Sequence, residues 1–357
     1  MKKSFLLMTS VIALLCSCHQ QDFYTLTNEQ GMQVTITPYG GRITQLWVPD
    51  RNGEMRDVVL GFDNLKDYQT IPSDFGACIG RYANRLDHGR ITIEGKEYQL
   101  PTNNFGHTLH GGPTGWQYQT YTVNQLDEHT LRVTILSPDG DNGFPGEVTA
   151  CCTYTLGEDN TLRMDYEATT TQPTVINMTN HSYFNLHGDA DLSILDHELW
   201  INSDSMTPVD STFMTTGEIC CIAQGDPFDF YTSPKTVGQD IEANNEQLSN
   251  GDGYDHNWVL KRMSKDGIEP TAVLSCPQTG IRLEVLTTEP GIQVYSGNFL
   301  DGTITGKYGK RYDKRHAICL ETQKYPDSPN KSSWPSAFLN PGETYRSTTI
   351  FAFSTIQ

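Results

Sequence analysis

Apolar residues recur at every second position along most of this chain, and the three-to-four spacing of an amphipathic helix is hard to find. The stretches TLRVTILS (130–137), EVTACCTYTL (147–156), IRLEVLTT (281–288) and YRSTTIFAFS (345–354) all alternate in this way. A period of two sends successive side chains to opposite faces of a strand, so each stretch predicts a strand with one buried face. Many end in turn signals such as PDG (138–140), GEDN (157–160), PQTG (277–280) and NPG (340–342). GRITIEGKEYQL (89–100) predicts a hairpin turning at Glu94-Gly95. A dozen or more short strands with few helices imply an all-β fold, two antiparallel sheets packed as a large β-sandwich. The strand signals run from about residue 23 to 355 with no long linker, so 22–357 is expected to be a single domain.

The net charge of −18 over 357 residues argues against nucleic acid as a partner and against an anionic membrane surface. The first residues follow a different rule. Lys2 and Lys3 precede an apolar run, Phe5 to Leu15, that is too short to span a bilayer. Ser17 before Cys18, with Leu15 upstream, resembles a bacterial lipoprotein signal. That resemblance implies a signal peptide over 1–17, lipidation of Cys18 and export to the bacterial cell envelope, with membrane contact only through the lipid. An ordinary cleaved signal peptide is the alternative. Seven further cysteines show no CxxC spacing, and two adjacent pairs make a poor disulfide framework. Cys151 and Cys152, inside a strand-like run, are expected to be buried free thiols.

Five segments carry polar chemistry out of proportion to their surroundings. NMTNHSYFNLHG (177–188) gathers three asparagines and two histidines around a Tyr-Phe pair. Amides and imidazoles beside aromatic rings suit a neutral, hydroxyl-covered ligand. If MTNHSYFNL is a strand, His181 and Tyr183 share one face and Phe184 points to the core. GRYANRLDHGR (80–90) offers Asn84 and Arg85, and HTLHGG (107–112) places His110 beside two glycines that allow close approach. GDGYDHNW (251–258) is a Gly-rich turn with Asp255; it resembles part of a calcium loop, but the oxygen-ligand spacing does not complete. In ICLETQKYP (318–326), Glu321 is expected at or near a strand end, where desolvation raises a carboxyl's proton affinity into the range of a general base. Taken singly, each has a bland reading as a surface charge, a core histidine or a turn acid. No serine nucleophile elbow, phosphate loop or dinucleotide fingerprint accompanies them.

TNHSYFNL, joined in order by GRYANR, LHGG, FPGEVTACCTYTL, YDHNW, EPGIQVYSGNFLDG, CLETQ and PGETYRSTTIFAFS, resembles the aldose 1-epimerase (galactose mutarotase) family over nearly all of residues 30–355. The resemblance implies the family's large antiparallel supersandwich and interconversion of the α and β anomers of free aldoses. It implies Glu321 as catalytic base and His181 as catalytic acid. Asn84, Arg85, His110, Tyr183, Asp255 and Gln293 are implied as sugar-binding residues. Ring opening needs two proton transfers and no metal, redox group or phosphate, so neither cofactor nor metal is expected, and the partner is a monosaccharide. Three other readings stay open: a non-catalytic sugar-binding lipoprotein, a glycosidase using Glu321 and Asp255, and a hexose-phosphate epimerase.

Overall fold

The computed structural model describes residues 21–188, 192–264 and 267–356. Nine antiparallel strands form the larger sheet, in the order Thr122–Gln125, Thr130–Ser137, Val148–Leu156, Thr161–Thr170, Tyr345–Thr355, Ile281–Thr287, Glu269–Ser275, Glu198–Ile201 and Lys235–Thr236. Six strands form the second: Tyr183–Phe184, Ile318–Gln323, Gly291–Tyr295, Asp255–Val259, Ser205–Thr207 and Cys220–Cys221. Tyr24–Thr27, Gln33–Thr37, Arg42–Pro49 and Met55–Asp57 make a four-stranded meander at the start of the described chain. Only two short α-helices, Leu65–Thr70 and Glu246–Gly251, occur among the described residues. None is long and apolar enough to cross a membrane.

Alternation builds the larger sheet. In Val148–Leu156 the residues Val148, Ala150, Cys152, Tyr154 and Leu156 are buried, while the positions between them face outward. Register then sets buried residues opposite buried ones, Cys152 across from Tyr166 and Tyr154 across from Met164. Val148, Leu156 and Met164 each contribute roughly 1.5–3 kcal/mol by leaving water. The predicted hairpin is present, with Arg90–Ile93 paired to Lys96–Gln99 and both Glu94 (φ 51°) and Gly95 (φ 81°) left-handed, as a two-residue turn requires. All seven described cysteines are free thiols; Cys152 is buried and Cys151 half-buried on the outward face beside Glu167.

The smaller sheet is different. Gly291–Tyr295 and Ile318–Gln323 are buried at every position, so both of their faces are covered. Ile292, Val294, Leu320, Trp258 and Phe184 on one face join the apolar core that also holds Tyr154, Leu162, Leu283 and Phe351 of the larger sheet. That shared core makes the sandwich. The opposite face, roofed by loops, carries carboxyl, amide and phenol groups.

The loop over that face is tied down at Gly76. Its N–H donates to the His181 carbonyl at 2.9 Å, and its carbonyl accepts from Ile43 N and from Asn180 Nδ2, both at 2.9 Å. Gly76 is left-handed (φ 68°), and a Cβ there would lie 1.8 Å from the Ile43 carbonyl oxygen. Replacement by alanine therefore meets both backbone strain and a backbone clash. Gly76→Ala is expected to destabilise the protein by about 3 kcal/mol, read as a lower urea midpoint, and an unchanged midpoint would refute this account of the loop.

Candidate active site

The segment 177–188 is a broken strand. Thr179–His181 pairs with Ala77–Ile79, whereas Tyr183–Phe184 pairs with Ile318–Gln323, Tyr183 facing Cys319. The break at Ser182 leaves backbone groups that a regular ladder would have satisfied, and the asparagines meet them. Asn180 Nδ2 donates to Gly76 O while its Oδ1 accepts from Ser182 N and Oγ. Asn177 bonds Ala83 O and Lys324 O and accepts from Lys324 N. Asn185 bonds Leu192 O and His316 O and accepts from His187 N. The amides predicted to greet a ligand are thus spent on the backbone. The facing predicted for the segment holds: Phe184 is in the core against Phe351, and His181 stacks on Tyr183 with centroids 5.0 Å apart and planes at 23°.

Register on the smaller sheet assembles the rest. Glu321 is directly opposite Gln293, and Asp255 is opposite Tyr295 on the next strand. Because side chains directly opposite on neighbouring strands share a face, four distant residues meet on the loop-covered side. Glu321 is the fourth of six strand residues, near the strand end as its flanking sequence suggested, but only 2 % exposed. Gln293 Nε2 donates to Asp255 Oδ1 at 2.7 Å, so Gln293 stands behind Asp255 and away from the cavity wall.

The other wall comes from two loops. Asn84 (φ 65°) and His110 (φ 51°) are both left-handed and bond each other: Asn84 N donates to His110 Nδ1 at 3.1 Å, and His110 N donates to Asn84 O at 3.2 Å. With Nδ1 accepting, neutral His110 carries its proton on Nε2 as a donor. Arg85 starts the short strand Arg85–Leu86, and its Nε donates to Asn104 Oδ1 at 3.1 Å. The Arg85 guanidinium also lies over the Phe213 ring at 5.1 Å.

These groups enclose a cavity of about 320 Å³, a volume at the small end for ligand sites. Asn84, Arg85, His110, His181, Tyr183, Asp255 and Glu321 all line it. Asp74, Asn104, Phe105, Leu109, Tyr295 and Phe299 line it too and were not singled out from the sequence. A lone aspartate in PSDFG and a phenylalanine in NNFG have no local signature, whereas Leu109 lies within LHGG and Tyr295 and Phe299 within EPGIQVYSGNFLDG.

His181 Nε2 lies 3.4 Å from Glu321 Oε1. Burial, followed by repulsion from Asp255 and Asp74, pushes the Glu321 carboxyl well above the usual carboxylate range, against the pull of Arg85. Burial pushes the His181 imidazole below its ordinary value, opposed by Asp74. Burial, with His181 and Arg85, holds His110 well below its ordinary value and therefore neutral. Asp255 is raised by burial and held back by Arg85 and the Gln293 hydrogen bond. Both shifts favour the uncharged members of the close pair, the protonated carboxyl and the neutral imidazole. His181 Nδ1 and Glu321 Oε2 have no protein partner.

Sequence spacing showed no metal set, yet the fold gathers potential ligands in three places among the described residues, one being Asp74, His110 and His181 with ligand atoms within 4.8 Å. His110 Nδ1 there is already accepting from Asn84 N, which leaves only its Nε2 for a ligand.

The aldose 1-epimerase family model matches residues 22–352. The chain belongs to the aldose 1-epimerase family. A galactose mutarotase of Sus scrofa is 43 % identical over 331 residues, 93 % of each chain. An aldose 1-epimerase of Escherichia coli K12 is 36 % identical, covering 92 % of this chain and 94 % of that one. Among solved structures, an aldose epimerase homologue from C. elegans superposes with a TM-score of 0.85 at 30 % identity, over 94 % of this chain and 99 % of that one. These likenesses correct one expectation. Residues 1–17 and Cys18 lie outside the described residues and ahead of the family match. The relatives at 42–43 % identity are mammalian galactose mutarotases, so an exported, lipid-anchored protein of the bacterial cell envelope is not upheld.

A carboxyl raised by its surroundings destabilises the fold once it ionises. The folded state retains the Glu321 proton after the unfolded chain has released it, so this contribution is fully present below the unfolded value and is lost as pH rises through the folded one. Glu321→Gln removes that loss. Calorimetry should find the variant more stable than the parent, with a larger gap at pH 8 than at pH 5; a gap that shrinks with pH would contradict the direction assigned to Glu321.

Proposed function

We propose that the cavity opens and recloses the ring of a free aldose, exchanging its α and β anomers, with Glu321 as base and His181 as acid. The observation that carries this reading is the 3.4 Å approach of the two groups at the buried floor of the cavity. The oxygens that must lose and gain a proton, O1 and the ring oxygen, are bonded to one carbon. Acid and base therefore have to sit close together, as these do.

Proton counting supports the pairing. Moving the Glu321 proton to His181 gives a carboxylate beside an imidazolium, with no exchange with solvent. The carboxylate then takes the O1 proton, the C1–O1 bond becomes a carbonyl, the C1–ring-oxygen bond breaks, and the imidazolium protonates the released oxygen. The pair is now back in its neutral form, the form that burial favours. Rotation about C1–C2 presents the other face of the aldehyde, and the reverse transfers close the ring. No group leaves the sugar.

The surroundings favour a neutral substrate. The cavity that holds Arg85 is also lined by the carboxyl groups of Asp74, Asp255 and Glu321, an excess of acid that disfavours phosphate. Asn84, His110, Arg85 and Asp255 offer donors and acceptors to hydroxyls, while the rings of Tyr183 and Tyr295 suit the C–H faces of a pyranose. Glu321 and His181 together speak against a purely sugar-binding role.

Polarimetry of freshly dissolved α-glucose and α-galactose tests the proposal. Glu321→Gln keeps the shape but cannot take a proton, so kcat should fall roughly 10²- to 10⁴-fold, about 3–5 kcal/mol of barrier, with KM little changed. His181→Asn should do the same. Since the two act in one event, the double variant should lose far less than the product of the singles. Near-normal turnover by a folded Glu321→Gln protein would remove the base from the scheme.

A further inference from the structure

Two phenylalanines at the mouth of the cavity stand out because they are not buried. Phe105 is 58 % exposed and Phe299 is 52 % exposed, yet both line the opening above Glu321. Phe213, itself buried, joins them: its ring centroid is 5.2 Å from that of Phe105 and 5.5 Å from that of Phe299. Three rings thus run as an arc across the rim, anchored where Phe213 lies under the Arg85 guanidinium. Tyr295, inside the cavity, stacks on Phe299 at 16° between planes and carries the aromatic surface from wall to rim.

Backbone geometry adds a second, independent observation. Phe105 (φ 46°) and Phe213 (φ 62°) are both left-handed, a conformation rare for bulky side chains. Such outliers persist where the surroundings hold them and cluster at ligand sites. Here the same strained conformation positions two neighbouring rings of one arc.

We propose that this arc is a second sugar subsite, and that the protein's preferred substrates are disaccharides with a free reducing end. The inference rests on the anomer-exchange reading and extends it to the substrate. If C1 of the reacting ring lies at the floor between Glu321 and His181, the opposite edge of that ring faces the mouth. A second pyranose in a reducing disaccharide is attached at a carbon other than C1. One linked through O4 leaves the cavity at the rim and lays its C–H face on Phe105 and Phe299. Exposed rings with no protein to cover them are what such a face needs.

The test compares crystalline α-glucose with crystalline α-lactose, whose reducing rings are the same, by polarimetry on the full chain. The wild-type protein should have a lower KM for α-lactose than for α-glucose. In Phe105→Ala and in Phe299→Ala, the ratio of kcat/KM for lactose to that for glucose should fall roughly three- to tenfold. Phe299→Tyr, which keeps the ring, should restore it. Both residues are exposed, so little loss of folding is expected; equal urea midpoints for variant and parent check this. A glucose rate with a lactose KM equal to or above the glucose KM, or a ratio that the alanine variants leave unmoved, overturns the subsite alone. No acceleration of either sugar by the wild-type protein overturns the anomer reading and the subsite with it.

Discussion

Glu321 is a carboxyl group fixed in the middle of a strand whose two faces are both buried. An ionised carboxylate in such a place costs several kcal/mol unless it is compensated, and most of the site can be understood as the response to that cost. The core face of the sheet gives rigidity, through Leu320, Val294 and Ile292, so the carboxyl cannot turn away to solvent. The opposite face supplies a partner that can hold the proton, His181, and a cation, Arg85, that limits the repulsion from neighbouring acids. A more exposed carboxyl would be more stable and a weaker base.

The need for His181 at that point explains why its strand is broken. A regular strand from Thr179 to Phe184 would pair with one neighbour throughout. Instead the chain leaves Ala77–Ile79 after His181 and joins Ile318–Gln323 at Tyr183, which brings imidazole and carboxyl from different pairings into contact. Every such change of partner strands backbone donors and acceptors, and buried ones must be satisfied. Asn177, Asn180 and Asn185 do this at three successive points, each through both its amide nitrogen and its oxygen. The density of asparagine here follows from the irregular backbone that the change of pairing partner creates.

That accounts for what the sequence disclosed and what it hid. Period-two alternation was legible because one face of each strand in the larger sheet meets water, as Arg282 and Glu284 do in alternation with Ile281, Leu283 and Val285. It fails in the smaller sheet, where Ile318–Gln323 has no exposed face, and so the strand's continuation past Glu321 through Thr322 and Gln323 carries no alternation to read. The polar residues Asn84, Arg85, His110, His181, Tyr183, Asp255 and Glu321 were found because several motifs pointed at one chemistry, and the structure brings all seven to one cavity. The asparagines of 177–188 were misassigned because an amide that holds a backbone and one that holds a hydroxyl look alike in sequence. Asp74 and Phe105 were missed because long-range folding alone delivers them.

Asp74 also bears on how the site keeps its reactive proton. Its carboxyl raises the proton affinity of both members of the pair, opposing the effect of burial on His181 and adding to it on Glu321. Burial alone would drive a proton onto Glu321 and make an imidazolium at His181 too costly to form. A nearby negative charge lowers that cost, because the ion-pair form places its positive charge on the histidine that Asp74 faces. Asp255 and Arg85 act on the other member in opposite senses, one repelling the Glu321 carboxylate and one attracting it. Asp74 thus favours the imidazolium and disfavours the carboxylate of the ion-pair form, and Arg85 is the group that pulls Glu321 back toward ionisation.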